Sequence, residues 1–226
     1  KKEFFSFFLL AFFLVVDMIL FFQSLYYISV NKALFLFLTY PIIALIMARF
    51  TLKEPITRID ILSIIISFFG LFLIFKTELE IGSNLLGEIL VLLSAVFWCA
   101  YMIMNRYLSF KEKHFKQTFW LFLFGFIMLM PIFLVYGKPS SFLNLNNIAW
   151  LLLLSLGVFA TLIPYTFISY AGKYVKSSTS SIILLIGPAL GIIVSFIILN
   201  ERPPINVVIG GVLILASAFI STRSKS

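Results

Sequence analysis

The chain has 226 residues, of which 62% are Ala, Val, Ile, Leu, Met, Phe, Trp, Tyr or Cys and only 12% are charged; soluble domains run at about 45–50% and about 25%. A soluble fold of this size has too little interior to hide that apolar surface, which excludes a soluble enzyme, a nucleic-acid module and a disordered chain. The net charge of +8, from 17 Lys and Arg against 9 Asp and Glu, sits mainly between apolar runs, which is the pattern of membrane orientation.

Apolar runs near 20 residues long, without the alternation a membrane barrel needs, predict transmembrane helices. Eight are expected, at residues 4–28, 33–52, 59–75, 88–107, 118–136, 148–170, 180–199 and 205–220. The first run follows Lys1 and Lys2. It is too long for a signal peptide and lacks a small-residue cleavage site, so it reads as a retained span. It carries Asp17, the one carboxylate deep inside a span. A charge near the bilayer centre costs at least about 2.5 kcal/mol. Asp17 is therefore a candidate proton-coupling site or counter-charge for a substrate amine. The structural alternative is a protonated carboxyl bonded to a neighbouring helix.

The second span carries Pro41 near its middle and ends at Glu54. In the fourth, Ser94, Trp98, Tyr101 and Asn105 recur at spacings of 4, 3 and 4, which puts them on one helix face. Facing lipid, their polar groups would be unpaired, so the stripe is expected to face inward, as a cavity wall or as helix packing. The single cysteine, Cys99, and single histidine, His114, provide neither a disulfide framework nor a His/Cys metal cluster. The sixth span repeats the logic with Thr161, Tyr165 and Ser169 around Pro164. That proline frees the carbonyl of residue 160, for substrate or for a neighbouring hydroxyl. Pro188 marks the seventh span and Glu201 its end. Pro41, Pro164 and Pro188 are hinge candidates, with static curvature as the alternative. Glu54 and Glu201 lie at span ends beside Lys53 and Arg202, in places suited to ion pairing or capping.

Counting Lys and Arg by alternate loops gives 13 on the side of both termini and four, Lys32, Lys76, Lys138 and Arg202, on the other. This bias predicts cytoplasmic termini. The chain also repeats itself. Pro41 and Glu54 recur as Pro188 and Glu201 at an offset of 147, where Tyr27 also matches Tyr174 and Phe72 matches Phe219. The offset covers five spans, an odd number, so the copies cross in opposite directions, an arrangement found in secondary transporters. The expected organisation is a three-helix partial repeat at 1–76, a linker at 77–86, a five-helix repeat at 87–221 and a cytoplasmic tail at 222–226. By the same offset, two further spans are expected before Lys1.

Three stretches carry a family resemblance. They are Tyr40-Pro41, Ala48-Arg49-Phe50 and Lys53-Glu54; Gly87-Glu88, Ser94-Ala95, Phe97-Trp98-Cys99-Ala100-Tyr101 and Asn105-Arg106; and Leu156-Gly157-Val158, Pro164-Tyr165, Gly187-Pro188, Asn200-Glu201-Arg202 and Gly210-Gly211. In this order they resemble the EamA-type repeat of the drug/metabolite transporter superfamily. The resemblance implies an all-α polytopic membrane protein, here eight helices of a ten-helix, inverted 5+5 fold. It implies a central cavity, alternating access without ATP hydrolysis and a bacterial inner membrane.

No phosphate-binding loop, zinc-protease motif or nucleophile elbow is present in the sequence, and no cofactor or metal is called for. The expected function is secondary-active transport of a small organic metabolite, with an amino acid or amine favoured. The expected partners are that substrate, the lipid bilayer and a proton or other coupling ion. No nucleic acid is expected, and no signature of oligomeric state is readable. The rival is a non-transporting truncated paralogue or membrane assembly subunit.

Overall fold

The computed structural model describes residues 2–76, 84–137, 145–199 and 203–223. Glu201, Arg202, Lys138, Lys1, linker residues 77–83 and tail residues 224–226 lie outside the described residues. The elements in chain order are α1 (Lys2–Ser24), α2 (Val30–Phe37), α3 (Tyr40–Thr51), α4 (Arg58–Phe75), α5 (Leu85–Ser109), α6 (His114–Tyr136) and α7 (Asn147–Ser155). A π-helical segment (Leu156–Leu162) follows, then α8 (Ile163–Ala171), α9 (Ser177–Leu184), α10 (Ile186–Leu199) and α11 (Ile205–Ser221).

Six helical stretches are long and apolar enough to cross a membrane: Glu3–Ser24, Val30–Thr51, Arg58–Phe75, Leu85–Ser109, His114–Tyr136 and Asn147–Ala171. The stretches Ser177–Gly191 and Ile205–Ser221 are apolar but shorter. Large apolar side chains such as Phe5, Phe22, Leu154 and Phe159 are exposed, whereas Asp17, Ser24, Ser94 and Gln117 are buried. This inverts the usual soluble distribution and suits a chain solvated by lipid.

Local chemistry sets the helix starts. Ser29 caps α2 by accepting the Lys32 N–H. Thr57 and Asp60 form a reciprocal capping box at α4, and the Asn146 side chain accepts the Ala149 N–H at α7. The stretches expected as the second and seventh spans depart from a single kinked helix. Each is two helices, the first interrupted at Leu38 and Thr39, the second at Leu185. Pro41 is the second residue of α3 and Pro188 the third of α10. Proline is tolerated in a first turn because its missing N–H has no helical partner there. Each proline therefore opens a new helix instead of bending a continuous one.

The chain forms two compact units. One comprises Lys1–Val15 and Met104–Tyr174, the other Val16–Ile103 and Val175–Ser226. Each draws on both halves of the sequence, so the units do not coincide with the expected repeat boundaries. In the first unit, α6 packs on α8, and α7 continues through the π-helical segment. In the second, the most extensive pairing is α4 with α11. There Gly70 and Gly210 bring the backbones together: a Cβ on Gly210 would lie 2.5 Å from the Gly70 carbonyl oxygen, and one on Gly70 2.8 Å from that of Gly210. Small residues permit such close approach.

Candidate functional site

In the second unit, α1 supplies Asp17 and α5 supplies Ser94. The Ser94 hydroxyl donates to Asp17 Oδ1 at 2.6 Å, and both residues are buried. An apolar interior makes an unpaired carboxylate expensive; the hydroxyl offsets part of that cost. One turn further along α5, the Cys99 thiol donates to the Tyr40 carbonyl at 3.3 Å. The Tyr40 hydroxyl donates to the Ser181 carbonyl at 2.9 Å, which ties the start of α3 to α9.

Aromatic rings extend from this polar chain. Trp98 meets Tyr101 at 5.3 Å between centroids, and Tyr40 and Phe37 each at 6.2 Å; Phe37 meets Phe21 at 5.3 Å. Such ring pairs contribute about 0.5–1.5 kcal/mol each beyond their buried area. The arrangement combines one acidic group with electron-rich ring faces, the two features that attract an organic cation. Tyr101 is fully buried and Trp98 half-buried. Among the described residues, no group of three or more His, Cys, Asp or Glu could hold a metal ion.

The remaining cavity candidates, Asn105, Thr161, Tyr165 and Ser169, fall in the first unit. Asn105 is buried with its amide engaged: Nδ2 donates to the Ile168 carbonyl at 3.3 Å, and Oδ1 accepts from Gln117 Nε2 at 2.6 Å. Ser109 Oγ lies 2.7 Å from both the Asn105 and Ser169 carbonyls, and Arg106 Nη1 donates to the Gly172 carbonyl at 3.1 Å. These contacts tie the end of α5 to α8 and the start of α6. Thr161 donates to the Leu156 carbonyl five residues back at 3.1 Å, a bond that follows the π-helical pitch just before Pro164. Tyr165 meets Phe122 edge-on at 5.7 Å.

The structure therefore brings Asp17 to Ser94 and groups Trp98 with Tyr101. It engages Asn105 and the Ser169 backbone in a separate helix-end network, and leaves Thr161 and Tyr165 with different partners. Glu54 is buried in the loop between α3 and α4, where Oε1 accepts the Ser177 N–H at 3.2 Å and so caps the start of α9 from outside that helix. Sequence reasoning passed over Tyr40, Ser109 and Gln117. Ser109 was readable by extending the stripe one further step of four beyond Asn105. Tyr40 depended on the helix break, which hydropathy does not register.

The sequence profile of the EamA-like transporter family matches residues 1–76 and 85–223. The chain belongs to this family. It is 34% identical over 205 residues to an uncharacterized transporter of Clostridium kluyveri, covering 88% of this chain and 65% of that protein. The uncharacterized transporter YoaV of Bacillus subtilis is 26% identical over 205 residues, covering 88% of this chain and 69% of its own. An uncharacterized transporter of Archaeoglobus fulgidus is 28% identical over 163 residues, covering 72% and 56%. The chain thus spans less than two thirds of the Clostridium and Archaeoglobus relatives it matches. A solved crystal structure superposes with a TM-score of 0.79 at 13% identity, covering 97% of this chain and 89% of that one, which shows a shared fold. This EamA chain is an integral membrane protein of a transporter family.

Proposed function

We propose that this EamA chain is a secondary-active transporter of a small organic metabolite, with an amino acid or other amine-bearing compound as substrate. Asp17 is its counter-charge or proton carrier. The observation that carries the reading is the buried Asp17–Ser94 pair in a span bordered by the Phe37, Tyr40, Trp98 and Tyr101 rings. A carboxylate at such a position is a functional site by default, because its cost must be offset by use.

The reading includes eight crossings of a ten-helix, inverted 5+5 fold, with repeats at 1–76 and 87–221, the linker at 77–86 and the tail at 222–226. Helix boundaries support it. At an offset of 147, α2 (Val30–Phe37) falls on α9 (Ser177–Leu184) end for end. Likewise α4 starts where α11 does, and α1 ends where α8 does. The helix breaks at Leu38 and Leu185 also correspond. Paired interrupted helices are what transporters of this kind place around their binding sites. Alternating access would turn on the segments at Pro41, Pro164 and Pro188. The charge bias supports cytoplasmic termini, and the bacterial relatives support a cell-membrane location.

The test is uptake of labelled amino acids and amines into proteoliposomes, with and without a proton gradient. Asp17→Asn is expected to lower uptake at least about tenfold, equivalent to about 1.4 kcal/mol, while leaving the fold intact. Wild-type, gradient-driven uptake by Asp17→Asn would remove the role assigned to this carboxylate.

A further inference from the structure

The second unit contains another buried carboxylate, far along the chain from Asp17 and without a counter-charge. Asp60 is completely buried. Its Oδ2 accepts the Thr57 N–H and hydroxyl at 2.9 and 2.8 Å. Its Oδ1 is buried with no hydrogen-bond partner, and among the described residues Asp60 makes no ion pair. Ser63, three residues on and so on the same helix face, is also completely buried with an unpartnered hydroxyl.

The α4–α11 register brings further oxygens to this end. Asn206 Nδ2 donates to the Leu73 carbonyl at 2.9 Å, and Gly210 meets Gly70. The two helices are therefore antiparallel. Seven residues beyond Gly210, Ser217 comes level with Ser63; eleven residues beyond, Ser221 comes level with residues 59–60. Ser221 is completely buried and its hydroxyl is unpartnered. The third helix here is α9, which packs on α3, α4 and α11 and is held at its start by Glu54. Its first three residues, Ser177, Ser178 and Thr179, are all buried with unpartnered hydroxyls.

Buried and without hydrogen-bond partners, Asp60 Oδ1 and these hydroxyl oxygens are ligands of the kind a hard cation takes. Buried polar groups are otherwise paired, and each exception calls for an explanation. The last carbonyls of α11 bring the negative end of a helix dipole here, set against the positive first turns of α4 and α9. Arg58 is exposed, and the Arg223 guanidinium lies over the Phe219 ring at 5.1 Å. Lys176 and Glu54, the other buried charges at this end, offset one another in sign. A single carboxylate, whose Oδ2 already caps α4, suits a monovalent ion. Calcium sites recruit several carboxylates, and magnesium keeps much of its water.

We propose that Asp60, with the hydroxyls of Ser63, Ser221 and the start of α9, forms a sodium site that clasps α4, α9 and α11 together. This inference does not depend on the transport reading, because the site uses none of its residues.

Thermal unfolding of the purified chain in detergent, followed by tryptophan fluorescence, tests it in NaCl, KCl and choline chloride at equal ionic strength. Sodium at tenfold its half-saturating concentration is expected to raise the melting temperature by about 3–5 °C over choline, with less effect from potassium. Asp60→Asn is expected to abolish the shift. Ser63→Ala and Ser221→Ala are expected to raise the half-saturating concentration several-fold, and they decide the matter if Asp60→Asn does not fold. The shift is expected to persist in Asp17→Asn, which separates this site from the transport reading. Equal melting in all three salts, equal sodium and potassium shifts, or unchanged half-saturation in both serine variants would overturn the proposal.

Discussion

The α4–α11 pair and the stretch from α7 to α8 use small and hydroxyl residues in opposite ways. In the pair, Gly70 and Gly210 meet backbone to backbone, and Asn206 reaches across to the Leu73 carbonyl. Between Asn147 and Ala171 only Ser169 is buried, and a Cβ added at Gly157 would meet nothing within 4 Å. There the hydroxyls turn inward on their own helix: Ser155 bonds the Leu151 carbonyl and Thr166 the Leu162 carbonyl, each at 2.7 Å. A glycine or serine in an apolar helix thus marks an interface only where a second backbone is near. Elsewhere local bonds satisfy it.

The contrast can be broken most severely at Gly210. Gly210→Ala places a methyl against the Gly70 carbonyl, where backbone must move, and is expected to destabilise the protein by roughly 1–3 kcal/mol, read as a lower melting temperature in detergent. A smaller effect is expected from Asn206→Leu, which removes one interhelical bond of about 0.6 kcal/mol; the same melt shows whether side-chain bonding or close approach dominates the seam. The smallest effect is expected at Gly157. Gly157→Ala should change stability by less than about 0.5 kcal/mol in either direction, since open space surrounds the new methyl. A loss there as large as at Gly210 would mean that the exposed helix packs on a surface it does not show here.

Much of the scaffold was legible because lipid imposes a simple rule: a span must be apolar and helical to satisfy its backbone. Asp17 stood out for the same reason, since a carboxylate in such a run breaks the rule. The start of α9 shows where hydropathy loses its grip. Ser177, Ser178 and Thr179 lower the local hydropathy, so the seventh span reads as beginning near residue 180. The helix instead begins at Ser177, buried and capped by Glu54 from another element, a partner no local window contains. Asn105 gives the reverse lesson. Its place on the inward stripe was readable, but its bonds to Ile168 and Gln117 depend on which helix ends converge.

The sequence by itself determined the solvent, the helices, the charge bias and the 147-residue echo between the two parts of the chain. These follow from composition and short-range periodicity, which each segment carries alone. Only the tertiary structure decided which polar groups meet. It paired Asp17 with Ser94, engaged Asn105 at helix ends and left Asp60 Oδ1 buried without a hydrogen-bond partner. A side chain's partner is set by the register of helices distant in sequence, and in an apolar medium that register is selected by close backbone approach at residues such as Gly70 and Gly210.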